Sequence, residues 1–154
     1  MEAKHIQSSQ ATILDINNGV QAKVLLRSSD TNGKIAVFED VVDAGAPGSP
    51  RHIHHKQDET FFFLEGEFEV EIDGKRYQAK PGDTVFVPRG TPHAWKFSGT
   101  EIDCIRYIFS PALNIEDMFQ DLHDLRSREI SNQEQLEVIA QRYPDQEMLG
   151  PPIS

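Results

Sequence analysis

A chain of 154 residues is long enough to bury one hydrophobic core unaided, and a single domain over residues 1–154 is expected. Its 25 acidic against 15 basic side chains leave a formal net charge of −10, which argues against a nucleic acid or an anionic bilayer as partner, because like charges repel. No apolar run approaches the ~20 residues needed to span a membrane, and "MEAKHIQSSQATILDINNG" lacks the apolar stretch of a secretory signal, so the cytoplasm is the expected location.

From about residue 20 to 110 the chain reads as short segments rich in Val, Ile, Phe and Thr, cut by turn residues, with no helix-length periodicity. "AKVLLRS" and "GKIAVFEDVV" are predicted strands joined through Asn32-Gly33, a local hairpin signal. "EFEVEIDGKRYQA" repeats the device around Asp73-Gly74. There Phe68, Val70 and Ile72 share one face, while Glu67, Glu69 and Glu71 read as solvated surface. Corners are expected at Pro47-Gly48 and Pro81-Gly82, and the even spacing of short strands predicts an all-β sandwich or barrel. Cys104 is the one cysteine, so no internal disulfide can form, and it reads as a small buried hydrophobe.

After "FSPA" the period changes. In "NIEDMFQDLHDLRS" the residues Ile115, Met118, Phe119, Leu122 and Leu125 fall at helical spacing, with Asn114 as the expected cap. "SNQEQLEVIAQRY" opens with the capping-box pair Ser131 and Glu134 and carries Leu136, Ile139, Ala140 and Tyr143 on one stripe. Two short amphipathic helices are therefore expected at about 114–143. Their apolar stripes should pack on the barrel exterior, a partner-binding surface being the alternative. Residues 144–154 read as an irregular tail.

The chemistry concentrates in "SPRHIHHKQDETFFFLEG". His52 and His54 are two apart, so on a strand both imidazoles project from one face, about 6 to 7 Å apart along the chain. Glu59 has the opposite parity and joins them only if the chain reverses within the polar "HKQDE". Counting by two from Glu59 places Phe61 and Phe63 on its face. His55 should point away from the pair. Alone, such a histidine run is often only a polar loop. A second stretch, "GDTVFVPRGTPHAWKF", adds a strand, a reversing turn and His93, whose alternation carries His93, Trp95 and Phe97 to one face.

Together the stretches resemble known motifs. His52-x-His54-x4-Glu59-x6-Gly66 looks like the first motif of the cupin superfamily, and Gly82-x5-Pro88-x-Gly90-x2-His93 is similar to its second. "DTNGKIAVFEDVV", "FSPALNIEDMFQDL" and "LGPPIS" resemble small single-domain bacterial cupins described as quercetin 2,3-dioxygenase-like. Two positions depart from the pattern. Gly48 lies nearer the first His than the motif's first Gly, and Phe97 stands where an Asn often closes the second motif.

The resemblance implies a double-stranded β-helix, the jelly-roll barrel of cupins, followed by two short helices. It implies His52, His54, Glu59 and His93 on one divalent metal at the barrel centre. Three imidazoles and a carboxylate suit Fe, Mn, Co, Ni, Cu or Zn better than Mg or Ca, and a six-coordinate ion would keep two open positions. The implied reaction is a metal-dependent dioxygenation of a small enolic or aromatic substrate, with Phe61, Phe63 and Trp95 as its apolar wall and Glu59 as a candidate base. A metal-dependent isomerase or lyase, or a non-enzymatic small-molecule binding module, are the alternatives on the same scaffold. Cupins of this type commonly pair, so a homodimer is expected, with "AKVLLRS" crossing to a partner sheet.

Overall fold

Period-two alternation organises the molecule. In the computed structural model, which describes residues 1–99 and 101–154, β1 (Thr12–Asn17), β2 (Val20–Leu26) and β3 (Ala36–Val42) run antiparallel in sequence order. Then come β4 (Pro50–His54), β5 (Asp58–Glu65), β6 (Phe68–Ile72), β7 (Lys75–Ala79), β8 (Thr84–Val87), β9 (His93–Phe97) and β10 (Asp103–Ser110). Helices α1 (Ile115–Arg126) and α2 (Asn132–Arg142) lead to a last strand, β11 (Gln146–Pro152). One sheet has the order β1-β2-β3-β10-β5-β8 and the other β11-β4-β9-β6-β7. The all-β jelly roll of the cupin type expected from the sequence is what forms, with both helices following β10 and preceding β11.

The inner faces carry the core. β10 buries Ile105, Tyr107 and Phe109 and β5 buries Phe61 and Phe63, while Arg106 and Leu64 face outward. Phe38, Phe61, Phe63, Phe68 and Phe109 are each at most 1% exposed. Burying each such ring is worth about 1.5–3 kcal/mol against leaving it in water. The Asp73-Gly74 hairpin forms between β6 and β7 with φ of 50° and 78°, the left-handed pair a two-residue turn requires.

Several expectations are corrected. The helices do more than pack on the barrel exterior: the α1 stripe reaches the inner-face aromatics of the barrel. Phe119 of α1 stands edge-on to Phe38 with centroids 4.7 Å apart, and Asp15 N of β1 donates to His123 Nδ1 of α1 at 2.9 Å. A cavity leaves apolar barrel residues to be covered, and residues of the helical stripes line its other side. The tail 144–154 is not irregular, because residues 146–152 pair with β4 as an edge strand. An edge position tolerates Pro151 and Pro152, whose missing N–H groups need no partner there. The barrel begins before residue 20, since Thr12–Asn17 forms β1. "AKVLLRS" stays at home: β2 is flanked on both sides by strands of its own chain.

Local details differ too. Asn32 and Gly33 have positive φ but do not make a two-residue hairpin. A longer loop replaces it, in which Asp30 Oδ2 accepts from Arg27 N at 2.9 Å and Ser28 N donates to Glu116 of α1 at 2.9 Å. Asn114 does not cap α1 through its side chain, because its backbone already turns toward the helix (φ −100°, ψ 23°). The Ser131–Glu134 capping box of α2 forms as expected. On α2, Gln135 is buried and Ala140 exposed, the reverse of the stripe. Glu69 and Glu71 are not a free solvated row: Arg76 bridges both and Arg51 also pairs with Glu71. Cys104 is half-buried, and burial followed by the nearby Glu39 pushes its thiol up to about 12. No helix among the described residues is long and apolar enough to cross a membrane.

Candidate metal centre

β4 belongs to one sheet and β5 to the other, so residues 55–57 carry the chain between facing sheets and strand parity restarts. That is how Glu59 comes to face His52 and His54 despite its odd offset. His93, first residue of β9, pairs directly with His52. Ligand atoms of His52, His54, Glu59 and His93 lie within 4.8 Å of one another. All four residues are at most 9% exposed. His55, by contrast, is exposed and contacts Glu147 at 2.6 Å.

The orientation of each imidazole is fixed from behind. His52 Nδ1 lies 2.7 Å from Pro50 O and His93 Nδ1 2.9 Å from Thr91 O, both carbonyls that can only accept. The third ring is set by a relay. Gln57 Nε2 donates to Ala112 O at 2.7 Å, so Gln57 Oε1 accepts from Gln146 Nε2 at 2.6 Å. Gln146 therefore turns Oε1 toward His54 Nδ1, which must carry the proton. With all three N–H groups committed outward, three Nε2 lone pairs point inward.

Those lone pairs meet a carboxylate. Glu59 Oε2 lies 2.9 Å from His93 Nε2 and 3.1 Å from His54 Nε2. Yet His54 Nε2 is buried without a hydrogen bond. Four acceptors converging on one point repel unless a cation sits among them or the rings take a second proton. Burial opposes the second choice: it holds His52 well below the usual imidazole range, with the charges of His93 and His54 adding to the effect. Burial alone would raise the Glu59 carboxyl, but positive charge and donated hydrogen bonds from His54 and His93, the only source of positive charge there without an ion, outweigh it and hold it below the ordinary carboxylate range. The four residues could thus hold one metal ion, and back-bonded imidazoles are the usual support for such ligands.

The cluster opens onto a cavity of about 240 Å3. Trp95, Tyr107, Phe109 and Pro47 line it from the barrel, and Met118, Phe119 and Leu136 from the helices. Of the expected apolar wall, Trp95 is there and Phe61 and Phe63 are not. Phe61 packs 6.2 Å from the His93 ring and 6.4 Å from Phe63, which packs in turn on Phe68, all inside the barrel core. Phe97 also stands off the cavity, against Phe68 and Trp95. Sequence reading missed Gln146, Asp40 and Tyr107. Only Asp40 left a signal, as an acid of the same parity as Phe38 and Val42.

A family model described as the cupin domain matches residues 38–107, spanning β3 through most of β10 and all four cluster residues. Residues 38–107 are thus a cupin domain. It is 30% identical over 91 residues to the quercetin 2,3-dioxygenase of Bacillus subtilis (strain 168), covering 58% of this chain and 26% of that one. Among solved structures, KdgF from Halomonas sp. superposes with a TM-score of 0.65 at 24% identity, over 73% of this chain and 99% of that one. An RmlC-like cupin from Shewanella frigidimarina NCIMB 400 gives a TM-score of 0.62 at 26% identity, over 74% and 96%. This cupin spans about a quarter to about half the length of the curated relatives it matches.

Proposed function

We propose that this cupin is a metal-dependent dioxygenase for a small enolic or aromatic substrate, with His52, His54, Glu59 and His93 on one divalent transition metal. Iron, manganese, cobalt, nickel, copper and zinc all suit this donor set. The observation that carries the proposal is the convergence of three imidazole lone pairs and one carboxylate beside an apolar cavity. Similarity to a quercetin 2,3-dioxygenase supports the choice of reaction. When bound, the ion supplies the redox or Lewis-acid chemistry that joining dioxygen to an enolic carbon requires.

The chain's own residues do the rest. Trp95, Phe109 and Phe119 offer flat apolar surface that selects a planar ligand and excludes water. Met118, Phe119 and Leu136 of the helices wall part of a cavity of about 240 Å3, a size that suits a small molecule. Both imidazole contacts of Glu59 use Oε2, which leaves Oε1 as the oxygen through which Glu59 would take the proton of a substrate hydroxyl. A homodimer joins the proposal, with sedimentation velocity as its test.

Protein purified without chelators is to be assayed for bound metal and, in an oxygen electrode, for uptake with flavonols, β-diketones and catechols. Oxygen consumed about one-to-one with substrate supports the reading. Substrate converted without oxygen uptake replaces it with a metal-dependent isomerase or lyase, and tight binding without turnover with a binding module.

A further inference from the structure

Asp40 breaks the apolar row of β3. Ala36, Phe38, Asp40 and Val42 share the inner face, and Asp40 is 1% exposed. Its Oδ1 accepts a hydrogen bond from the Tyr107 hydroxyl at 2.7 Å. Its Oδ2 is buried with no hydrogen-bond partner. A buried polar oxygen left single in this way calls for a partner. Both Asp40 and Tyr107 line the cavity that also reaches His52, His54 and Glu59. Tyr107 is itself held rigidly, stacked on Phe38 at 5.7 Å and edge-on to Phe109 at 5.7 Å. The carboxyl is thus held in place at the wall of the cavity, with one oxygen unpartnered. Burial pushes the Asp40 carboxyl up to about 8, with Glu59 and Glu39 adding to the rise against the Tyr107 hydrogen bond. Near neutral pH the group can therefore donate as well as accept.

We propose that Asp40 is a substrate-contacting residue, positioned by Tyr107, whose Oδ2 hydrogen-bonds a hydroxyl or carbonyl group of the ligand other than the oxygens facing the histidine cluster. This rests on the reading of the cavity as a substrate site, and it sharpens that reading. The ligand is not a bare hydrocarbon with one metal-seeking oxygen: it carries a second oxygen function, and Asp40 selects for it. A site built to hydrogen-bond such a group discriminates against analogues that lack it, because its own buried oxygen is then left single.

The test uses the full chain, metal-loaded, and two probes. Quercetin and 3-hydroxyflavone share the 3-hydroxy-4-keto group, but only quercetin carries further hydroxyls. Binding is read by quenching of Trp95, the chain's one tryptophan, which lines the cavity. Asp40→Leu should weaken quercetin by about 10- to 100-fold, the scale of a lost hydrogen bond to a charged or strongly polar group, and 3-hydroxyflavone by less than about threefold. Asp40→Asn preserves the shape and the acceptor for Tyr107, and guards against misfolding of the first variant. It should keep 3-hydroxyflavone binding and lose about threefold or more of the quercetin preference. Tyr107→Phe should lower that preference too, with metal content unchanged in all three variants. Equal binding by native and variant proteins, or equal loss of both probes, overturns the role of Asp40 while leaving the substrate reading intact. Failure of the native metal-loaded protein to bind either flavonol overturns the substrate class and this inference with it.

Discussion

Gln146 Oε1 on the last strand accepts a hydrogen bond from the Nδ1–H of His54, 92 residues earlier in the chain, and so decides which nitrogen of that imidazole is free to bind an ion. Gln146 is in turn fixed by Gln57, whose amide is anchored on Ala112 O. Gln146→Leu should therefore weaken metal binding by about 10- to 100-fold, the usual cost of losing the group behind a ligating histidine. His55→Ala, which removes an exposed ring paired with Glu147 at the surface, should leave affinity unchanged. Competition against a chromophoric chelator measures both. Equal affinity in the Gln146 variant would mean that His54 is not a ligand, or that its ring needs no support.

The cluster itself predicts linked loss of metal and stability. Metal bound only to the folded state stabilises it by about 4 kcal/mol at a thousand times the dissociation constant. His52→Ala and His93→Ala, which remove facing members of the β4–β9 pair, should abolish stoichiometric metal on elemental analysis. Chelation should then lower the Tm of the native protein and leave the Tm of either variant where it was. A chelator-insensitive native protein would show that the four residues hold no metal.

Much of this site could be read from residue order alone. Alternation in "ETFFFLE" and "HAWKF" gave the inward faces of β5 and β9 correctly, and the histidine and glutamate offsets marked the cluster. Contacts fixed only by closure of the sheets could not be read. Gln146 lies 92 residues from His54 and meets it only because β11 pairs with β4, and the cavity-lining role of Met118 and Phe119 depends on where α1 docks, which an amphipathic stripe does not say. A stripe reports that something is covered, not what. Residues 146–152 hid their strand behind Gly150 and two prolines, punctuation that only an edge position accommodates. Asp40 was visible as an acid among apolar neighbours, yet its meaning came from Tyr107, which meets it from the neighbouring strand β10.

Asp40 predicts a pH dependence of stability in chelator-treated protein. Its folded pKa of about 8 lies above the ~3.9 of an unfolded aspartate. Between those values the folded state keeps a proton that the unfolded state has released, so stability falls as pH rises through the window, by up to about 1.4 kcal/mol per pH unit. Glu59, held low, acts in the opposite sense and only as pH falls below about 4, outside this window. Asp40→Asn removes the titration. Urea unfolding at pH 5 and pH 7.5 should therefore show the variant gaining on the native protein at the higher pH. A constant difference between the two would mean that Asp40 is ionised throughout.

Gly48 predicts how tightly the ligand strands must meet. A Cβ there would stand 2.1 Å from Trp95 O and 2.8 Å from Lys96 Cα, both backbone atoms of β9. The next residue locks the same junction: Ser49 N donates to Trp95 O at 2.9 Å and Trp95 N donates to Ser49 Oγ at 3.1 Å. This fastening sits a few residues from both His52 and His93, so prising it apart moves one ligand relative to the other. Gly48→Ala should cost about 1–3 kcal/mol as an overpacking defect and weaken metal binding by about tenfold or more. Gly150→Ala is the matched control, since a Cβ at that position would meet no atom within 4 Å and its φ is unexceptional, and it should change stability by no more than about 0.5 kcal/mol. Loss of stability in Gly48→Ala with metal affinity intact would show that β4 can part from β9 at Gly48 while His52 and His93 keep their pairing.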